Sequence, residues 1–305
     1  MPNFENFLTY QHWQHAFVGH IFALTVAVFL AGLVYFILSM SQISPRYRLT
    51  AVISAVVMVS AALEIGQLFV LWQTAFSFVP VGAELEGATA VGPFGAWAPV
   101  ETTMFSNGYR YVNWSIDVPM LLTQLLVVLG LTGAVFWQTW WKLTVAGLLM
   151  IWTGYVGQFY EPGVAGFIDN VSTAPFYIWF LVSCVFYGYL LWVLYFAFQK
   201  PVGHVSPKAQ RALNICLWII LLSWLLYPIA YLVPAFWADS NGVVARQTLF
   251  TIADIVSKLV FGVVLSRAAR IRSADEGWEP AALVAAGPAA PHDVSEPTPV
   301  RHGRR

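Results

Sequence analysis

Long apolar runs alternate with short polar segments along most of this chain. Because runs of this length suffice to cross a hydrocarbon core of about 30 Å, the pattern predicts an all-α membrane protein, a bundle of seven transmembrane helices. The runs lie at about 15–40, 49–78, 110–137, 143–160, 176–199, 209–234 and 244–270. The fourth is the weakest prediction, since Trp140, Trp141 and Lys142 obscure its start.

The composition agrees with this pattern. Hydrophobic residues make up 59% of the chain and charged residues 10%, which excludes an ordinary soluble domain. We interpret 1–14 as an outer cap segment, 15–272 as the transmembrane domain, and the Pro-, Ala- and charge-rich 273–305 as a disordered cytoplasmic tail. The Gly- and Pro-rich stretch 80–108 predicts a hairpin outside the membrane.

The loop charges predict the orientation. Basic residues gather on one side of the seven-helix arrangement: Arg46, Arg48, Lys142, Lys200, Lys208, Arg211, Arg267, Arg270 and Arg272. Acidic residues gather on the other: Glu5, Glu84, Glu86, Glu101, Glu161, Asp169 and Asp239. Because basic loops stay in the cytoplasm, we expect the N-terminus outside and the C-terminus inside a cell's inner (plasma) membrane, which the chain crosses several times.

We interpret five charged residues as intramembrane: Glu64, Arg110, Asp117, Asp254 and Lys258. Asp254 and Lys258 are four residues apart, so they share one helix face. Each charge at the bilayer centre costs roughly 2.5 to 3.5 kcal/mol, so the pair should face the protein interior. A lysine that forms a Schiff base would explain this cost, and a purely structural ion pair is the alternative.

The third and sixth runs carry further polar and aromatic positions. Asn113, Asp117 and Gln124 are separated by four and seven residues, which places them on one stripe of the third helix. Trp224 and Tyr227 share a face before Pro228, a suitable wall for a flat apolar ligand, and Trp114 could supply an opposite wall. Hydrogen bonding between helices and ordinary packing are the alternatives.

These residues form motifs that resemble the microbial rhodopsins. The motifs are D-x-x-x-K (Asp254, Lys258), R-Y-x-x-W with a following proline (Arg110, Tyr111, Trp114, Pro119) and W-x-x-Y-P (Trp224, Tyr227, Pro228). The resemblance implies all-trans retinal bound to Lys258 as a protonated Schiff base, in a pocket formed by Trp114, Trp224, Tyr227 and Pro228. The set Asn113, Asp117 and Gln124, with NFENF, AVVMVS and GYVGQFYE, is similar to the light-driven sodium pumps.

The resemblance also implies roles for individual residues. Asp117 is the expected counterion and proton acceptor, Asp254 a second counterion, and Arg110 a gate. The expected sodium path comprises Asn113, Gln124, Ser60 and Ser257, with Na⁺ bound transiently at Asn113 and Asp254. An ion exit is expected at Glu5, Glu161, Arg246, Asn107 and Tyr109, although solvated loop charges explain these acids equally well.

Glu64 departs from the sodium-pump pattern, which has an aliphatic residue there. It lies one turn from Ser60 on the same face, which places it near Asp117, Asp254 and Arg110. A third carboxyl beside one cation favours a neutral Glu64 or a shared proton, and therefore a role in tuning the counterion. Snorkelling to the membrane interface is the alternative.

The sequence thus predicts an outward, light-driven sodium pump that exports protons when sodium is scarce. An outward proton pump is the main alternative, and a photosensor or a channel is less favoured. The partners implied by the resemblance are membrane lipid and further copies of the chain, assembled as a pentamer. We expect neither a nucleic acid, because the charges are too dispersed, nor a protein transducer.

Overall fold

The computed structural model describes residues 3–82, 93–165, 172–199 and 205–280. Seven long helices form the bundle in this part of the chain, as the hydrophobic pattern predicts. They are α1 (His12–Ser39), α2 (Leu49–Thr74), α3 (Gly108–Leu129), α4 (Gly133–Gln158), α5 (Ala174–Phe198), α6 (Pro207–Phe236) and α7 (Ser240–Asp275). All except α4 are long and apolar enough to cross a membrane by composition alone, so α4 is the weak member here too.

The predicted boundary between the third and fourth helices is wrong. The sequence pattern places it between 137 and 143, whereas α3 ends at Leu129 and α4 starts at Gly133. Gly130 adopts a φ of 79°, and Leu131 N–H donates to the Leu126 carbonyl at 3.2 Å, which closes the end of α3. Leu131 is buried, so the apolar run continues through the turn and hydropathy alone does not reveal it.

The predicted hairpin is part of a small antiparallel sheet. Its strands are β1 (Tyr10–Gln11), β2 (Phe76–Val79) and β3 (Ala96–Pro99), in the order β1, β3, β2. Tyr10 lies opposite Trp97, so the sheet joins the hairpin to the chain just before α1. Strand β2 occupies the last positions of the predicted second run, which makes α2 shorter than predicted.

The sheet and a short 3-10 helix, Phe4–Phe7, lie at the end of the bundle that carries the N-terminus, here called the N-terminal end. Phe4 and Glu5 are fully buried, which means that this segment packs into the bundle. The His15 ring stacks on Trp97 with 3.9 Å between ring centroids, and its other stacking partner is Trp72. The expected outer cap segment is therefore an integral part of the fold, although its side of the membrane stays a prediction.

The opposite end is fastened by contacts between the α1–α2 connection and the end of α7. Ser44 N–H donates to Ser273 Oγ at 3.0 Å, and Glu276 Oε1 accepts from Arg46 at 3.0 Å and from Tyr47 Oη at 2.5 Å. Helix α7 runs to Asp275, so the expected domain boundary at 273 falls inside a helix. The tail beyond 280, predicted to be disordered, lies outside the described residues. Four residues used to predict the orientation also lie outside them: Glu84, Glu86, Asp169 and Lys200.

We expect Tyr47→Phe to lower the free energy of unfolding by about 1 kcal/mol, because the buried ring loses only its hydrogen bond to Glu276. Thermal unfolding in detergent measures the change. Tyr195→Phe is the matched control, since that ring is 51% exposed. Equal midpoints for the two variants would contradict a fastening role for Tyr47.

Candidate functional site

The site is centred on Lys258 in the middle of α7. Residues Ile255–Val260 form a π-helical segment within the otherwise α-helical α7, an irregularity common at functional sites. Lys258 is 2% exposed and its Nζ lies 3.1 Å from Asp254 Oδ1. The predicted pairing of these residues on one face of the helix therefore exists, and it is completely buried.

Two residues of α3 approach the same amine. Lys258 Nζ donates to Asn113 Oδ1 at 2.8 Å and lies 3.1 Å from Asp117 Oδ2. Asn113 in turn donates from Nδ2 to Ser60 Oγ on α2 at 2.6 Å. A neutral amide oxygen and a carboxylate thus lie side by side on α3, as the spacing in the sequence predicts, and both contact the lysine.

Arg110 and Glu64 complete this group, which we call the central cluster: Glu64, Arg110, Asp117, Asp254 and Lys258. Arg110 Nη1 donates to Asp254 Oδ2 at 2.7 Å. The Glu64 carboxylate lies 3.6 Å from both Arg110 Nη1 and Lys258 Nζ. Glu64 is 6% exposed, so it does not snorkel, and three buried acids face two buried cations.

Asp254 is oriented by aromatic side chains. Its Oδ1 accepts from Tyr227 Oη at 2.8 Å and from Trp114 Nε1 at 3.3 Å, and Tyr227 Oη also lies 3.1 Å from Ser257 Oγ. These bonds fix the carboxylate relative to Lys258. The aromatic residues predicted as ligand walls therefore also hold a counterion in place.

Gln124, the third member of the α3 stripe, lies apart from the amine. It is fully buried, and its Oε1 accepts from Ser54 Oγ at 2.7 Å, whereas its Nε2 has no hydrogen-bond partner among the described residues. Sequence reasoning missed Ser54, because a lone serine in an apolar helix carries no distinctive signal. The stripe thus forms two separate polar sites rather than a continuous contact with Lys258.

A cavity opens beside the lysine. Its lining is chiefly aromatic and aliphatic, with Lys258 as a reactive amine, which fits an apolar ligand attached covalently at that residue. The four predicted pocket residues all line it: Trp114, Trp224, Tyr227 and Pro228. Other lining residues were not predicted as pocket residues: Tyr111, Met150, Phe180, Cys184, Tyr187 and Phe250.

A second buried group lies at the N-terminal end and comprises Glu5, Asn107, Glu161 and Arg246, here called the N-terminal cluster. Arg246 contacts Glu5 Oε1 at 3.0 Å and Glu161 Oε1 at 2.5 Å, and Asn107 Nδ2 donates to Glu5 Oε1 at 2.8 Å. Burial raises the pKa of Glu161, while the Arg246 charge opposes that shift. Tyr109, the fifth residue expected here, is 44% exposed, unlike the four buried members.

Gln247 is a second polar residue that sequence reasoning missed. It is fully buried between the two clusters, accepting from Arg110 and donating to Glu5 and Asn107. Its position seven residues before Asp254 places it on the same helix face, and that spacing is a signal that could have found it. Gln247 was not predicted because glutamine is uncharged, and the prediction of intramembrane sites relied on charged residues.

Seven helices around a buried, acid-paired lysine that faces an aromatic cavity define the class of retinal-binding membrane proteins. A family model described as "Bacteriorhodopsin-like protein" matches residues 16–271. The chain therefore belongs to this family of microbial rhodopsins, retinal proteins that include light-driven ion pumps, and it is a multi-pass membrane transporter rather than an enzyme.

Individual relatives agree with this assignment. The chain is 24% identical over 250 residues to the green-light absorbing proteorhodopsin of Gamma-proteobacterium EBAC31A08, a match covering 82% of this chain and 85% of that protein. It is similar to thermophilic rhodopsin (TM-score 0.75, 29% identity, 89% of this chain and 99% of that one). Xanthorhodopsin, described as a light-driven ion pump with dual chromophore, gives a TM-score of 0.74 at 27% identity, with the same coverage.

Glu64→Leu should move the midpoint of the acid-induced red shift by on the order of one pH unit, because it removes a carboxyl 3.6 Å from Lys258 Nζ. If a neutral Glu64 hydrogen-bonds to the counterion, the red shift begins at higher pH in the variant. Titration of visible absorption measures it, with Glu64→Gln as a second variant. Glu101→Gln, at an exposed acid, is the control, and an unmoved midpoint in both Glu64 variants would contradict the coupling.

Proposed function

We propose that this protein is an outward, light-driven sodium pump that exports protons when sodium is scarce. The observation that carries the proposal is the hydrogen bond from Lys258 Nζ to Asn113 Oδ1 beside the contact with Asp117. The Lys258 nitrogen therefore hydrogen-bonds to an oxygen that is suited to bind Na⁺, and it lies beside the Asp117 carboxylate, which can accept its proton. Release of that proton would uncover the ligand.

The cavity lined by Trp114, Trp224, Tyr227 and Pro228 would hold retinal bound covalently to Lys258, which would supply the absorption of light and the isomerisation that starts transport. The protein's own residues then decide which ion moves and in which direction.

In the dark, the charged Lys258 nitrogen excludes sodium. Two unit charges about 4 Å apart repel by roughly 4 kcal/mol at an effective dielectric constant of 20, close to a thousandfold in occupancy. Asn113 Oδ1 is also engaged as a hydrogen-bond acceptor and offers no free ligand. Repulsion by the Lys258 charge and the engaged Asn113 oxygen therefore both prevent sodium from binding beside Lys258.

Proton transfer from Lys258 to Asp117, across 3.1 Å, neutralises both groups. The Lys258 nitrogen, now uncharged, no longer repels sodium. The neutral Asp117 no longer attracts the sodium ion and does not trap it. Oxygen atoms of Asn113, Ser60 and Asp254 are then the transient ligands, a set of amide, hydroxyl and carboxylate groups suited to a hard cation.

Gln124 and Arg110 give the path its direction. Gln124 cannot donate a proton, so Lys258 recovers its proton from Asp117. The ion instead enters past the neutral Gln124 amide, from the end of the bundle opposite the N-terminal end. Arg110, paired with Asp254 on the way to the N-terminal cluster, is the cationic barrier against return. Ser257, held by Tyr227, lines the passage beside the lysine.

An outward proton pump is the second candidate, favoured by Glu64 as an additional carboxyl at the lysine and by the similarity to proteorhodopsins. Its proton would leave the Lys258 nitrogen for Asp117 in the same first step. The candidates differ only in what then crosses the central cluster.

The experiment is illumination of cells suspended in sodium chloride, with external pH recorded before and after a protonophore is added. A sodium pump draws protons passively inward, so the medium becomes alkaline and the protonophore strengthens the response. We expect acidification instead in potassium chloride. Acidification in sodium chloride that the protonophore abolishes would establish the proton pump.

Two variants secure the assignment. Asp117→Asn should abolish light-driven transport of either ion, because the Lys258 proton loses its acceptor at 3.1 Å. Glu101→Gln, at an exposed acid, should pump as the parent does. An Asp117→Asn variant that still forms the pigment and pumps normally would contradict the proposed first step.

A further inference from the structure

A single amide joins the two buried clusters. Gln247 Oε1 accepts from Arg110 Nη2 at 3.1 Å, and Gln247 Nε2 donates to Glu5 Oε1 and to Asn107 Oδ1, each at 3.0 Å. The residues at these contacts are fully buried. Gln247 therefore satisfies groups from α3 and from the N-terminal segment at the same time.

The polarity of the amide matches its surroundings. Its acceptor end faces the Arg110 cation, while its donor end faces the carboxylate of Glu5 and the amide oxygen of Asn107. A rotated amide would direct N–H groups at a cation and an oxygen at a carboxylate, which is unfavourable on both sides. The orientation of Gln247 is thus fixed by both clusters together.

Phe250, one turn further along α7, lies between the same groups. The Arg110 guanidinium carbon is 5.0 Å from the Phe250 ring centroid, and that of Arg246 is 5.7 Å away. The ring also lines the cavity beside Lys258. An Arg110 side chain that moves away from Asp254 must therefore change its contacts with Phe250 and Gln247 together.

We propose that Gln247 is a positioning residue that couples Arg110 to the N-terminal cluster. When Arg110 leaves Asp254, its hydrogen bond to Gln247 Oε1 breaks, the amide is released, and Glu5 and Asn107 lose its two donors. Reformation of the same bonds returns Arg110 to Asp254. The inference rests on the gate role of Arg110 in the proposed function, but not on whether the transported ion is sodium or a proton.

The test is a double-mutant cycle read from the recovery of the ground state after a flash. Gln247→Met keeps the length of the side chain and removes its hydrogen bonds, and Asn107→Ala perturbs the far end without changing charge. We expect Gln247→Met to slow recovery by about tenfold, because Arg110 loses the acceptor that guides its return. Asn107→Ala alone should slow recovery by about fivefold relative to the parent. When it is added to Gln247→Met, it should slow recovery by less than about twofold further.

Matched controls separate positioning from folding. Gln67→Met makes the same chemical change at an exposed glutamine of α2, and should recover at the parent rate. The absorption maximum of Gln247→Met should stay close to that of Gln67→Met, whereas its thermal midpoint should fall, because three buried hydrogen bonds are lost. If Gln247→Met forms no pigment, Gln247→Asn replaces it in the test. Its shorter side chain cannot bridge both clusters, so we expect the same slowing of ground-state recovery.

Recovery within twofold of the parent in the Gln247 variant, or factors that multiply independently in the double variant, would overturn the coupling. Failure of the proposed function looks different, because a proton pump would still show non-multiplicative recovery rates while acidifying a sodium chloride suspension. The two hypotheses therefore fail on separate measurements.

Discussion

The rest of the structure depends on keeping the Lys258 ammonium inside a helical bundle. An unpaired charge there is strongly unfavourable, so the amine is surrounded by the Asp117 and Asp254 carboxylates and an amide oxygen, from two helices. Because this balance depends on one proton, its transfer changes the electrostatics of the whole site. The same interaction therefore stabilises the resting protein and makes it switchable.

Around this interaction the bundle is divided into layers by polarity. An aromatic cavity lies on one side of Lys258, and the Arg110–Asp254 pair leads through Gln247 to the N-terminal cluster. The buried Ser54–Gln124 pair lies apart from the amine and carries no charge. Charged groups therefore lie on one side of the lysine and an uncharged polar pair on the other, an asymmetry along the bundle that the proposed pump would use to give transport a direction.

Much of this was predictable from the chain itself. Apolar run lengths predicted seven helices, and the separation of Asp254 from Lys258 predicted a buried pair, since helical periodicity is a local property. The α3–α4 boundary was not predictable by hydropathy, because Leu131 is apolar within a glycine turn. Gln247 was missed because its role lies in contacts with Arg110 and Glu5, which are remote from it in sequence.

The sequence by itself determined which residues carry charge inside the membrane and which of them share a helix face, because composition and a 3.6-residue period suffice for both. Only the tertiary structure decided that Glu64 lies within 3.6 Å of both cations and that Gln124 lies apart from the amine. It also brought Glu5, near the start of the chain, into contact with Arg246 on the last helix. Distances between helices depend on how whole faces pack, and no single segment encodes that.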